Sequence, residues 1–202
     1  MYKKNLAASE YLPAFDTYCE QVWSALGLEI VSTDKSVLSF TEILDLRQKA
    51  MITAYKKYGP VYYNYLQAQL MQPLQNSWIR MGEYQDTRNV KYLVDVLNFI
   101  MLAYWHMTDK VETIPTDEEL LYVQATIIQL NERYTELPDR FLSYLETYSD
   151  TDDGTGALCY LAALMYLVYM EILSPTIDGA YYDGKSDGRV CALAGIYINQ
   201  YV

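Results

Sequence analysis

The sequence predicts an all-α protein, a single helical bundle of about seven or eight helices that spans residues 1–202 as one domain. Apolar residues recur at helical spacing along most of the chain, and helix-capping patterns precede several of these runs. Only a short stretch at 28–32 reads as a strand. Apolar residues make up 51% of the chain, and only six prolines and nine glycines interrupt them, so it can bury a substantial core.

The first predicted helix begins at a capping box formed by Ser39 and Glu42 and ends at Gly59, after two lysines. Pro60 can start the next helix, since proline is tolerated in a first helical turn. Pro73 interrupts or restarts this second helix before a third helical stretch.

Residues 90–107 form the clearest amphipathic pattern. The apolar positions that share one helical face are Val90, Leu93, Val94, Leu97, Met101 and Tyr104. The next helix is predicted to begin after Thr116, which is followed by acidic residues in the first turn. Its apolar stripe consists of Leu120, Val123, Ile127 and Leu130.

Two further helices are predicted in the rest of the chain, from Pro138 to about Tyr148 and over residues 157–173, and a final segment runs from Val190 to Tyr201. The stretch 157–173 is apolar on nearly all sides, at the short limit for a membrane span. Glu171 interrupts its end and its flanks are acidic, so we expect a central buried helix and no membrane contact.

Charge divides the chain into two parts. Residues 1–110 carry eleven basic and eleven acidic residues, whereas residues 111–202 carry four basic and fifteen acidic residues. The whole net charge of −11 therefore comes from the second part. This asymmetry argues against direct binding of nucleic acid, because phosphate contacts need clustered cations. It favours a surface that meets a basic protein partner, and the alternative is that the acidity only keeps the protein soluble.

The cysteines and the amino terminus favour a cytoplasmic location. Cys19, Cys159 and Cys191 are odd in number and form no C-x-x-C motif, which indicates a reducing compartment. The amino-terminal residues lack the apolar region of a signal peptide.

Most catalytic motifs are missing. His106 is the one histidine, so a single chain cannot form a multi-histidine metal site, and there is no P-loop, G-x-G-x-x-G or G-x-S-x-G motif. A set of carboxylates remains, formed by the spaced pairs Glu42/Asp45 and Glu83/Asp86 together with Asp95. Residues three apart share a helix face, so two such pairs could hold a magnesium ion and a nucleotide's phosphates.

The segment "RMGEYQDTRNVKYLVDVLNFIM" resembles small phage-encoded helical proteins of unassigned role. Within residues 40–107 the chain is also distantly similar to the all-α nucleotide pyrophosphohydrolases of the MazG-like and dimeric dUTPase group. This resemblance implies magnesium held by Glu42, Asp45 and Asp95, with Lys91 or Arg80 on phosphate. The sequence departs from the motif at Tyr92, which stands where that group has a glutamate, and tyrosine is not a carboxylate ligand.

Asp95 also has a structural interpretation. Lys91 lies one turn before it, and Arg80 or Arg88 could reach it from a neighbouring helix. A buried carboxylate without a partner is costly, so we expect Asp95 to be paired with a basic side chain.

The twenty-two tyrosines favour contact with another molecule, because tyrosine combines a rigid apolar ring with a polar end. We therefore expect an acidic, tyrosine-rich interaction protein of phage or mobile-element type that binds, and can inhibit, a basic nucleic-acid-binding protein. The acidic residues expected to carry the contact are Glu112, Asp117, Glu118, Glu119, Glu132, Glu136 and Asp139. The alternatives are a magnesium-dependent nucleoside triphosphate pyrophosphohydrolase and a structural subunit of a larger assembly. A homodimer is compatible with all three, and only the enzyme would need a cofactor, magnesium.

Overall fold

The protein is described by a computed structural model. The described residues are 11–28, 30, 38–58, 71–107, 114–134, 137, 139–140, 143, 155–175 and 179–184. These ranges contain six packed helices and no strand, which confirms the all-α class with fewer helices than the seven or eight predicted. The helices are α1 (Tyr11–Ala25), α2 (Phe40–Tyr58), α3 (Met71–Thr87), α4 (Lys91–Met107), α5 (Asp117–Arg133) and α6 (Thr155–Leu173).

Several predictions fall wholly or mainly outside the described residues. The helix predicted from Pro60 lies there except for its last two residues, which belong to α3, and the segment from Val190 lies there entirely. The stretch 28–32, proposed as a strand, is described only at two positions. Of the helix predicted from Pro138, the described positions 139, 140 and 143 have helical backbone, as does Leu137 before them.

Helix α1 is an element that our sequence analysis did not predict. Phe15, Tyr18, Cys19, Val22 and Trp23 are all buried along one face of it. Their spacing of three and four residues is the pattern of an amphipathic helix, so the signal was present in the sequence. Helix α1 packs against α4, α5 and α6.

Helices α2 and α3 begin with distinct local chemistry. The backbone amide of Ser39 donates to Glu42 Oε2 at 2.7 Å, and the Glu42 amide donates to Ser39 Oγ at 3.3 Å. This geometry confirms the predicted capping box. Helix α3 begins at Met71, so Pro73 lies within its first turn rather than before it. Proline fits there because the first-turn amides have no partner within the helix.

Helix α4 lies at the centre of the bundle and packs against α1, α2, α3 and α6. All its residues from Leu93 to Tyr104 are buried, and so is Val90 just before the helix, so all six positions of the predicted apolar face are buried. Helix α6 is the other central element, and it packs against α1, α4 and α5. Its stretch Gly156–Leu173 is long and apolar enough to cross a membrane, and 83% of it is buried within the protein, as predicted for a central helix.

A buried arginine joins four of the helices. Arg47 in α2 donates from Nε to Asn98 Oδ1 of α4 at 3.1 Å. Its Nη1 donates to Asp16 Oδ1 of α1 at 2.9 Å and to the Tyr169 hydroxyl of α6 at 2.8 Å. Burial of a charged group is tolerated only when its hydrogen bonds are made, so this network fixes the relative positions of the helices.

Candidate functional site

Asp95 is buried on α4, with 6% of its surface exposed, and its Oδ2 lies 3.4 Å from Arg80 Nε of α3. Arg80 is itself buried, and its Nη1 also donates to Glu83. The structure therefore confirms the expected pairing of Asp95 and identifies Arg80 as a partner. The pair joins α3 to α4 in the neutral part of the chain.

Tyr92 has a defined role at the position where the resembled pyrophosphohydrolases carry a glutamate. The Arg80 guanidinium carbon lies 5.4 Å from the centre of the Tyr92 ring, and Lys91 Nζ lies 4.9 Å from it. Both distances are within the range of cation–π attraction. The ring thus stabilises two cations where a metal-binding motif would place an anion.

A cleft of about 320 Å³ lies between α2, α4 and the segment 179–184, and Asp95, Lys91 and Lys49 line it. The segment is attached by two backbone hydrogen bonds: the Tyr181 amide donates to the Arg88 carbonyl at 2.8 Å, and the Val90 amide donates to the Tyr181 carbonyl at 2.6 Å. Lys91 Nζ also lies 3.6 Å from Asp183 Oδ2 of this segment. The cleft thus brings Asp95 and Lys91 together, and Asp95 is the one carboxylate that lines it among the described residues.

Glu42 and Asp45 lie elsewhere on α2, and both are exposed. The backbone amide and the hydroxyl of Ser39 both donate to Glu42, and these hydrogen bonds lower the pKa of its carboxyl group. Among the described residues, no group of three or more histidine, cysteine or acidic side chains is placed to hold a metal ion. Because magnesium needs several converging oxygen ligands, Glu42, Asp45 and Asp95 as arranged here do not fit it.

The acidic residues predicted to carry a contact lie mainly on and around α5. Asp117, Glu118, Glu132 and Asp139 are exposed to solvent. Glu119 is half-buried and accepts a hydrogen bond from the Thr116 amide at 2.8 Å, which completes a capping box at the start of α5. Glu112 and Glu136 lie outside the described residues.

The same helix carries a concentration of exposed apolar residues that our sequence analysis missed. In the described part of the chain, four of the seven exposed large apolar side chains lie on or just before α5: Ile114, Leu121, Tyr122 and Ile128. Leu121 is 67% exposed and Ile128 is 51% exposed. They are seven residues apart, so they lie on the same side of the helix, opposite the buried Val123 and Ile127.

We call this surface the α5 outer face, defined by Asp117, Glu118, Leu121, Ala125, Ile128 and Glu132. Its apolar residues occupy the middle of the helix, and its acidic residues lie towards the two ends. Within the described residues, none of these three carboxylates lies within ion-pair distance of a basic side chain. The sequence did contain a signal for this surface: Leu121, Ala125 and Ile128 form a second apolar stripe on a different side of the helix from the core stripe.

Comparison with protein-family models, with curated proteins and with solved structures found no match. Two surfaces of the described residues are candidates for the function: the cleft beside Asp95, where the charges are paired within the chain, and the α5 outer face.

Proposed function

We propose that this is an interaction protein whose α5 outer face binds a basic protein partner. The observation that carries the proposal is the exposure of Leu121 and Ile128 between the acidic residues at the two ends of α5. An exposed apolar group with polar residues around it is the usual composition of a protein-binding surface. The opposite side of α5 packs on the core of the bundle. Leu121 and Ile128 therefore lie outside the core and do not contribute to its packing.

The charge of the surface determines the kind of partner. Asp117, Glu118 and Glu132 give the α5 outer face a negative potential, and they belong to a part of the chain with fifteen acidic and four basic residues. Such a potential increases the association rate with a positively charged surface and disfavours an acidic one. A partner with apolar side chains between lysines or arginines matches both features of the face.

Inhibition of a nucleic-acid-binding protein follows from the same chemistry. The basic surface of such a partner neutralises phosphates, and an acidic protein surface competes for the same lysines and arginines. The proposed role is therefore to occupy a basic surface that would otherwise hold nucleic acid.

A designed peptide provides a direct test. The probe is a helical peptide with leucines at positions i, i+4 and i+7 and lysines on both sides, and fluorescence anisotropy measures its binding to the whole protein. We expect affinity to fall steeply between about 0.05 M and about 0.5 M salt, because the contact is partly ionic. The double variant Glu118→Lys/Glu132→Lys should bind at least about tenfold more weakly at low salt.

The matched control is Asp45→Lys/Asp86→Lys, which makes the same change in net charge at exposed positions of α2 and α3. It should retain nearly full affinity, since those residues lie outside the α5 outer face. A second measurement starts from the basic peptide bound to a labelled DNA duplex. Added protein should bind the peptide and release the free duplex. Equal losses in the two double variants would show that net charge alone attracts the peptide, and the proposed surface would then be wrong.

A further inference from the structure

A pocket of about 260 Å³ opens beside the α5 outer face, between α5, α6 and the residues that follow α5. Three tyrosines from different parts of the chain line it: Tyr122 of α5, Tyr134 just after α5, and Tyr160 of α6. Ala125 lines the pocket and also belongs to the α5 outer face. Because alanine is small, a molecule lying on the outer face can reach the pocket past this residue.

The walls of the pocket are held in place by hydrogen bonds. The buried Tyr160 donates its hydroxyl to Ser143 Oγ at 3.1 Å. The guanidinium group of Arg140 donates to the Tyr134 carbonyl at 3.2 Å from Nε and at 3.0 Å from Nη2, which fixes the chain where α5 ends. A pocket with fixed walls does not have to be ordered when a ligand enters, so less entropy is lost on binding.

The lining selects a particular kind of ligand. Its lining includes the buried side chains of Leu130 and Thr126, and Arg133 is the one charged residue among the described residues that line it. The pocket therefore combines three aromatic rings with hydroxyl and amide groups and one cation, within an otherwise acidic part of the chain. A lysine or arginine side chain would be repelled by Arg133. A carboxylate could pair with Arg133, but it would lose its hydration against the three tyrosine rings.

A flat aromatic side chain satisfies all these conditions. Aromatic rings stack on, or pack edgewise against, tyrosine rings, and the guanidinium of Arg133 can contact the face of an inserted ring. The volume also fits, because about 260 Å³ is below the roughly 300–1,000 Å³ typical of small-molecule sites and suits one side chain. Aromatic residues in such pockets commonly provide most of the binding energy at the centre of a protein interface.

We infer that this tyrosine pocket receives an aromatic side chain, tryptophan by preference, from the basic partner that lies on the α5 outer face. The inference rests on the proposed function, because it names the anchor residue of that same partner. The partner would place apolar residues on Leu121 and Ile128, cations near the acidic residues, and one ring past Ala125 into the pocket.

The test uses three versions of the basic helical peptide that differ at one position beside the leucines, where they carry tryptophan, alanine or lysine. Against the unchanged protein, the tryptophan peptide should bind at least about tenfold more tightly than the alanine peptide. The lysine peptide should bind no more tightly than the alanine peptide, despite its extra positive charge, because Arg133 repels it.

Matched tyrosine variants locate the contact. Tyr122 and Tyr181 are similarly exposed, at 42% and 47%, but Tyr181 lies on the segment beside the Asp95 cleft. Tyr122→Ala should remove most of the advantage of the tryptophan peptide and leave the alanine peptide unaffected, whereas Tyr181→Ala should change neither. Circular dichroism checks that both variants keep their helices, and Ala125→Trp, which fills the entrance without removing a wall, should give the same loss as Tyr122→Ala.

The two proposals fail in different ways. If the alanine peptide binds in a salt-dependent manner that Glu118→Lys/Glu132→Lys abolishes, but tryptophan adds no affinity, the pocket inference is wrong and the α5 outer face stands. If the tryptophan advantage persists in both Tyr122→Ala and Ala125→Trp, the pocket is likewise not the anchor site. If no basic peptide binds, both proposals are wrong.

Discussion

Asp95 of α4 and Glu118 of α5 are both helical carboxylates, yet they lie in opposite surroundings. Asp95 is enclosed in the neutral part of the chain, where Arg80 balances its charge and the Tyr92 ring supports Arg80. Glu118 is exposed in the acidic part, beside an apolar side chain that the core does not use. The first carboxylate is satisfied by its own chain, and the second is available to another molecule.

This difference shows that a carboxylate motif has to be interpreted together with the positions of the cations. In the neutral part, arginine side chains reach the acidic groups, as the Arg80–Asp95 and Arg47–Asp16 distances show, and Lys91 reaches Asp183 of the acidic part. In the acidic part, two of the four basic residues, Arg133 and Arg140, lie at or near the tyrosine pocket. Among the described acidic residues of this part, Asp117, Glu118, Glu132 and Asp139 are exposed to solvent, where a partner can meet them.

The largest expected effect is on stability and distinguishes the two carboxylates. Asp95→Ala should lower the free energy of unfolding by about 3–5 kcal/mol, because it leaves Arg80 buried without this partner. Glu118→Ala should change it by no more than about 0.5 kcal/mol, as is usual at exposed sites. Urea unfolding followed by circular dichroism measures both values.

Asp95→Asn serves as a control that keeps the size of the side chain and its ability to accept a hydrogen bond. We expect its effect to fall between those of the two alanine variants. If Asp95→Ala and Glu118→Ala are equally mild, the Arg80–Asp95 pair is not part of the core, and the contrast between the two regions disappears.

The predictability of the fold differed among the helices for physical reasons. Helix α4, the capping box at Ser39 and the helix start at Thr116 were predicted because their signals are local: spacing along one helix, or a contact between residues close in sequence. Helix α1 was missed although Phe15, Cys19 and Trp23 follow a helical pattern. Pro73 was read as a boundary, but proline is equally compatible with the first helical turn in which it lies.

The site was less predictable, because it depends on how helices pack. The acidic residues of α5 were identified from composition, but the exposure of Leu121 and Ile128 follows from the way α5 packs against α6. The tyrosine pocket joins Tyr122, Ser143 and Tyr160, which are far apart in sequence. For Asp95 the sequence offered three basic partners, and only packing of α3 against α4 selects Arg80.

The stability of the protein should depend on pH through buried groups where the two regions pack against each other. The Tyr18 hydroxyl of α1 lies 3.9 Å from Cys159 Sγ of α6, in the buried core. Burial raises the pKa of Cys159 from 9.0 to about 11, and it also raises the pKa of Tyr18, Cys19 and Tyr169 above their ordinary values.

The folded protein therefore holds these protons more tightly than the unfolded chain does. Each group contributes its full stabilisation below its ordinary pKa and loses it as the pH rises towards the raised value. We expect the free energy of unfolding to fall as the pH increases from 9.0 to about 11, the interval set by Cys159. In Cys159→Ala, compared with the unchanged protein by urea unfolding, that fall should be smaller, and an identical pH profile would exclude this thiol as a cause.

The smallest expected effect compares the two capping boxes, one in each region. Their geometry is nearly the same: the Glu42 amide lies 3.3 Å from Ser39 Oγ, and the Glu119 amide lies 3.2 Å from Thr116 Oγ1. Ser39→Ala and Thr116→Ala should each lower the free energy of unfolding by about 1 kcal/mol, because each leaves one first-turn amide without its partner.

The two variants should differ in binding, because Thr116 precedes the helix that carries the α5 outer face. Thr116→Ala exposes the first turn of α5 to fraying and moves Asp117 and Glu118, so it should weaken binding of the basic peptide slightly. Ser39→Ala, at equal cost in stability, should leave binding unchanged, since α2 lies outside that face. Peptide affinities measured on both variants thus separate a loss of stability from a loss of the surface, and a greater effect from Ser39→Ala would move the contact to the neutral region.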